Sequence, residues 1–124
     1  ATSPDEHLVT SLPGLNHGDF PTKHHAGHIP VVEGYYFYWL FESAGPDPSS
    51  DPLVIWLNGG PGCSSMDGLW LENGPFRLGD HGRVKINPYS WHKTANVLYV
   101  DQPLGTGLSF TTDSHYADNE KQVS

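Results

Sequence analysis

Leu53-Val54-Ile55-Trp56-Leu57-Asn58-Gly59-Gly60-Pro61-Gly62-Cys63-Ser64-Ser65 is the stretch that decides the fold class. A short continuous apolar run, bounded by Pro52 and Asn58, reads as a buried central strand. A glycine-rich turn follows at once. Glycine has no Cβ, so backbone N–H groups in such a turn can come close to a ligand, and Gly59, Gly60 and Gly62 are each free to take positive φ. Pro61 fixes one φ and removes a competing donor. A rigid loop with N–H groups aimed outward is what an oxyanion hole requires, because fixed donors must stand where negative charge develops. A purely structural glycine turn is the plainer alternative.

Working outward, Tyr35-Tyr36-Phe37-Tyr38-Trp39-Leu40-Phe41 is the strongest strand signal, apolar on both faces as in a strand covered on both sides. Residues 27–32 suggest another short strand, and residues 1–26 read as irregular. Downstream, residues 66–72 fit a short helix. Residues 76–78 and 83–86, around Gly79-Asp80-His81-Gly82, fit a hairpin. Asn96-Val97-Leu98-Tyr99-Val100 is a third buried strand, stopped by Asp101-Gln102-Pro103 and followed by Gly105-Thr106-Gly107. Asp118 suits the N-cap of a further helix. Strands ending in glycine-rich turns predict an α/β sheet with function in those turns. The helices that should cover such a sheet are almost absent, so residues 1–124 are expected to be an incomplete part of one domain.

Composition narrows the function classes. The net charge of -8, from 14 acidic against 6 basic residues, disfavours nucleic acid and anionic membranes as partners. No stretch is apolar enough to span a membrane, and the start of the chain lacks the apolar region of a signal peptide. Eight histidines would bring the charge toward zero in an acidic compartment. His7, His17, His24, His25 and His28 fall close together in sequence, but their spacing matches no metal motif, and neither a metal nor a cofactor is expected. The single cysteine, Cys63, is either a buried small hydrophobe or half of a pair.

Other readings of the glycine turn fail on chemistry. A phosphate loop ends in Gly-Lys-Ser/Thr, and no lysine stands here. The Gly-x-Gly-x-x-Gly dinucleotide fingerprint is unmatched. Cys63 has no local base. Ser64 and Ser65 lack the Gly-x-Ser-x-Gly elbow of a nucleophile, which is absent throughout the chain.

Residues 56–68, Trp-Leu-Asn-Gly-Gly-Pro-Gly-Cys-Ser-Ser-Met-Asp-Gly, closely resemble the signature of serine carboxypeptidases, enzymes of the α/β-hydrolase type. Leu12-Pro13-Gly14-Leu15, Glu72-Asn73-Gly74-Pro75-Phe76, Asn87-Pro88-Tyr89-Ser90-Trp91, and Val100-Asp101-Gln102-Pro103 with Gly105-Thr106-Gly107-Leu108-Ser109 look like the same family, in the right order. The variants Ser65-Met66-Asp67-Gly68 and Gly105-Thr106-Gly107 look most like processing carboxypeptidases that prefer basic C-terminal residues.

The resemblance implies an α/β-hydrolase fold of which this chain is the N-terminal portion, and hydrolysis of the C-terminal peptide bond through an acyl-enzyme. By resemblance, the N–H of Gly60 is one oxyanion donor. Asn58 and Gly59 hold the substrate's terminal carboxylate, Trp56 lies beside them in the substrate-binding set, and Glu72 belongs to the same network. Cys63 pairs with a cysteine outside this chain. The triad Ser, Asp and His lie downstream in the order usual for this fold, so this piece is expected to be inactive alone. Asp101 is read as structural, and Tyr89 and Trp91 as core or cleft wall. Partners are peptide or protein C-termini and the remainder of the catalytic domain. The location implied is vacuolar or lysosomal, late secretory or extracellular. Two alternatives stay open: a serine carboxypeptidase-like acyltransferase or lyase on the same fold, and a non-catalytic fragment.

Overall fold

The structure is a computed structural model and describes residues 4–112. Its centre is a mixed sheet of β1 (His24–Val31), β2 (Gly34–Phe41), β3 (Leu53–Trp56), β6 (Asn96–Val100) and β7 (Phe110–Thr111), in the order β1-β2-β6-β3. β1 and β2 form an antiparallel hairpin in register from His24↔Phe41 to Val31↔Gly34. β6 runs antiparallel to β2 and parallel to β3. β7 continues along the β6 side of β2, where Gly34 faces Thr111. A Cβ on Gly34 would stand 2.1 Å from the carbonyl oxygen of Phe110, so β7 docks only against a glycine. α1 (Met66–Leu71) is the single α-helix among the described residues, and β4 (Phe76–Leu78) pairs with β5 (Val84–Ile86) as the expected hairpin.

Alternation along the strands sorts the core. His24, Trp39, Phe41, Val54, Trp56, Val97 and Tyr99 share one face by register. Phe20, Leu69, Phe76 and Ala95 close over it to make the buried cluster. The packing is aromatic: Phe20 and Phe76 lie 4.9 Å apart between ring centres, Trp39 and Phe41 5.3 Å, and Phe41 and Phe76 5.4 Å. Pairs of this kind contribute about 0.5–1.5 kcal/mol each beyond the area they bury.

Three sequence expectations change. The first strand starts at His24 rather than residue 27, because His24 stacks on Phe41 with ring centres 5.3 Å apart and accepts the Trp39 indole N–H at 3.0 Å. The segment before it is not wholly irregular, since it includes 3₁₀ turns at Pro4–His7 and His17–Asp19. Residues 53–57 do not form a central strand covered on both sides. Among the described residues β3 pairs with β6 alone, and Leu53, Ile55 and Leu57 are 60%, 56% and 52% exposed. Their side chains belong to the sheet face opposite the aromatic core; there the Pro4–His7 turn lays His7 over Gly27 and Tyr38, but no described α-helix covers the face. The helix start expected at Asp118 lies outside the described residues.

Candidate functional site

β3 and its parallel partner β6 end side by side, and each runs straight into a glycine-bearing turn. In the first turn, residues 59–63 are all exposed. Positive φ is used at Gly60 (140°) and Gly62 (106°), though not at Gly59. A Cβ on Gly60 would lie 3.2 Å from the backbone nitrogens of both Gly62 and Cys63, so the loop curls tightly around this residue, and its positive φ makes any side chain there strained. Among the described residues, the N–H groups of Gly59, Gly60, Gly62 and Cys63 donate no backbone hydrogen bond. Fixed, unspent N–H donors on a small exposed loop suit the binding of a carboxylate or a developing oxyanion.

The loop is held at both ends. On one side the Trp56 indole N–H donates to Oδ1 of Asn58 at 2.5 Å. This occupies the amide's acceptor and leaves its NH₂ as the donating end. Trp56 is braced edge-on against Trp91, 5.6 Å away, and by Gly68 of α1, where a Cβ would come 2.1 Å from the indole nitrogen. The Asn58 N–H donates to Ser65 Oγ at 3.1 Å. On the other side is Asp101, fully buried at the end of β6. Its Oδ1 accepts the Ser64 hydroxyl at 2.6 Å and the Ser65 N–H at 2.9 Å, while Oδ2 accepts the Leu108 N–H at 2.9 Å.

Of the residues singled out from sequence, Trp56, Asn58, Gly59 and Gly60 are therefore neighbours on one loop. Among the described residues Glu72 makes no hydrogen bond to any of them. It caps the C-terminus of α1, its side chain is exposed, and among the described residues its carboxylate has no partner. Its carbonyl accepts the Arg77 guanidinium instead. Cys63 is exposed and unpaired among the described residues, which removes the reading as a buried apolar thiol. Tyr89 is 86% exposed and Trp91 walls Trp56 rather than filling the core. No group of histidine, cysteine, aspartate or glutamate side chains among the described residues is disposed to hold a metal, and no described helix is long and apolar enough to cross a membrane.

Sequence reasoning treated Asp101 as a strand-ending acid and missed that it joins the two turns. An acid at a strand's carboxyl end, with Gly105-Thr106-Gly107 shortly after it, was the available signal. It also passed over the buried His92. Burial, and secondarily the Lys93 charge, push that imidazole down to about 4, and its Nδ1 lies 2.7 Å from Ser90 Oγ.

Residues 13–124 match the family model described as serine carboxypeptidase. A pheromone-processing carboxypeptidase of Phytophthora infestans is 48% identical over 119 residues, covering 94% of this chain and 20% of that protein. Serine carboxypeptidase 1 of Hordeum vulgare is 48% identical over 112 residues, covering 83% and 22%. The lysosomal protective protein of Mus musculus is 40% identical over 123 residues, covering 98% and 26%. The crystal structure of a prohormone-processing carboxypeptidase from Saccharomyces cerevisiae superposes with a TM-score of 0.78 at 37% identity, covering all of this chain and 28% of that one. The chain thus spans about a fifth to a quarter of the length of these relatives. It belongs to the serine carboxypeptidase family, and its mixed sheet is built on that family's α/β-hydrolase fold.

Proposed function

We propose that the protein carrying this chain is a serine-type carboxypeptidase, which hydrolyses the C-terminal peptide bond of peptides and proteins through an acyl-enzyme. The observation that carries this reading is the loop itself: Gly60 at φ 140° among unspent N–H groups, beside an Asn58 amide fixed by Trp56. In the reaction, a serine hydroxyl attacks the last peptide carbonyl, and the C–O bond forms as the carbonyl oxygen takes up negative charge. The Gly60 N–H donates to that oxygen. The Asn58 amide and Gly59 N–H hold the free carboxylate of the leaving residue, so an exopeptidase register follows from the short distance between the two functions. The nucleophile, its base and the orienting acid come from the rest of the catalytic domain, which also supplies the partner of Cys63. The 124-residue chain alone is then inactive.

Glu72 follows α1, whose Gly68 braces Trp56, and in this reading it approaches the bound carboxylate once substrate and the remaining domain are in place. A carboxyl group donates to another carboxylate only when it carries a proton, which favours work at acidic pH. Glu72→Gln in the full-length enzyme, which puts a donor that cannot titrate in its place, should move the high-pH limb of the kcat/KM profile and make KM for free-carboxylate peptides less dependent on pH. An unchanged profile together with an unchanged KM removes Glu72 from the site. A vacuolar, lysosomal, late secretory or extracellular setting accords with this chemistry.

The direct test is release of the last residue from an N-blocked peptide by the full-length enzyme. We expect release to be blocked by a serine-directed reagent and nearly lost when the substrate's C-terminus is amidated. Equal turnover of free and amidated peptides overturns the carboxylate-binding role. Insensitivity to the reagent overturns the serine mechanism.

A further inference from the structure

We infer that Asp101 is a positioning residue for the reaction: a buried carboxylate that clasps the loop bearing Gly60 to the turn after β6 and fixes the loop in its donor geometry. This rests on the carboxypeptidase reading above. Asp101 is fully buried, and its contacts run both ways. Ser64 and Ser65, at the end of the glycine loop, both donate to Oδ1, and Leu108, beyond Gly105-Thr106-Gly107, donates to Oδ2. The backbone of Asp101 is pinned as well. Its N–H donates to the Phe37 carbonyl at 3.0 Å, and its carbonyl accepts the Ser109 hydroxyl at 2.6 Å. Ser109 Oγ in turn accepts the Phe37 N–H at 2.7 Å. The clasp is therefore bolted to β2, the middle of the sheet.

The chemistry requires a carboxylate. Three donors arrive at two oxygens, so every site must accept. An asparagine would present an NH₂ either to the Leu108 N–H or to the Ser64–Ser65 pair. The approach is also close: a Cβ on Gly107, whose φ is 55°, would lie 2.2 Å from Oδ2 and 2.9 Å from Ser64 Oγ. From Ser65 the constraint passes on, because Ser65 Oγ holds the Asn58 N–H. Gly59 to Cys63 are exposed and spanned between these anchors, so the position of the Gly60 donor is set by groups that never touch substrate.

The test is made in the full-length enzyme with Asp101→Asn and, because that variant can fail to fold, Ser64→Ala, which loosens the clasp and keeps the buried carboxylate. Active enzyme is counted by titration with a serine-directed phosphonylating reagent. The expected result is kcat per titrated site lower by roughly 10-fold for Ser64→Ala and roughly 100-fold for Asp101→Asn, on the scale of a displaced oxyanion donor. KM for an N-blocked peptide should stay within about threefold, and affinity for a peptide boronate should fall in step with kcat. A merely structural role lowers the titrated fraction and leaves kcat per site alone. Ser64→Ala with kcat per site within about twofold of the unmodified enzyme, or with a change confined to KM, overturns the inference. An unmodified enzyme that releases no C-terminal residue overturns the carboxypeptidase reading, and the inference with it.

Discussion

Gly68 shows how a single missing Cβ can reach substrate. It lies buried in α1, and a methyl group there would come within 2.1 Å of the Trp56 indole nitrogen. The indole cannot yield by rotating a flexible tip, so it must move as a plate and carry its N–H away from Asn58. Asn58 then loses the bond that fixes its amide. Gly68→Ala is expected to raise KM for free-carboxylate peptides by roughly 10-fold, the worth of one hydrogen bond to a charged group. Activity on C-terminal esters, which have no carboxylate to hold, should change little. Steady-state kinetics on the two substrate types checks this, and equal effects on both would mean that Gly68 serves only packing.

At the scale of elements, β6 is the strand on which most depends. Tyr99 lies fully buried in it, and its hydroxyl donates at 2.8 Å to Oδ1 of Asn73, just after α1. Burial pushes the phenol's pKa up, so the donor keeps its proton through the alkaline range. Tyr99→Phe should cost about 1–3 kcal/mol by leaving the buried Asn73 oxygen unpaired, read as a lower denaturation midpoint. The 3₁₀ turn Trp91–Lys93 before β6 sets an acid limit. His92 takes up no proton in the fold until about pH 4, whereas the unfolded chain binds one near the ordinary 6.5. Its contribution is full above that ordinary value, shrinks as pH falls, and is gone near the folded value. Stability should therefore drop toward acid by at most about 1.4 kcal/mol per pH unit from this group, less whatever water screens. His92→Gln should flatten that slope in denaturation curves taken across the window, and an unchanged slope would assign it to other groups. The strands over residues 35–41, 53–57 and 96–100 were legible because apolar runs bounded by turns have few other solutions. The start of β1 was not, since His24 becomes a strand residue only by stacking on Phe41 across the hairpin. Likewise, the glycine turn could be read from residues 58–65, but the Asp101 clasp could not, because its serine partners stand 36 and 37 positions away.

At the scale of the whole molecule, the two faces of the sheet disagree. One is filled by Phe20, Leu69 and Phe76 packed on Trp39, Phe41, Val97 and Tyr99. The other presents Leu53 and Ile55 of β3 with Leu57 just beyond, each more than half exposed. Alternation should have made these positions polar if water were their permanent neighbour, as it does where a sheet has one wet face. Strands that are apolar on both faces belong to sheets covered on both, and the chain accounts for only about a quarter of the matched structure's length. The uncovered face is thus where the remainder of the domain should pack. Ile55→Lys in the full-length enzyme places a charge in that contact and should lower stability by about 2–4 kcal/mol, or abolish accumulation of folded protein. Val32→Lys is the matched control, because Val32 is fully exposed at the β1–β2 turn and should tolerate the change within about 0.5 kcal/mol. Thermal melts of the two variants decide the matter. If Ile55→Lys melts with the control, the second face is open to water in the whole protein, and the rest of the domain does not pack there. If it alone collapses, then the strand that carries the glycine loop is held from both sides, and the rigidity the loop needs comes from a core this chain only half supplies.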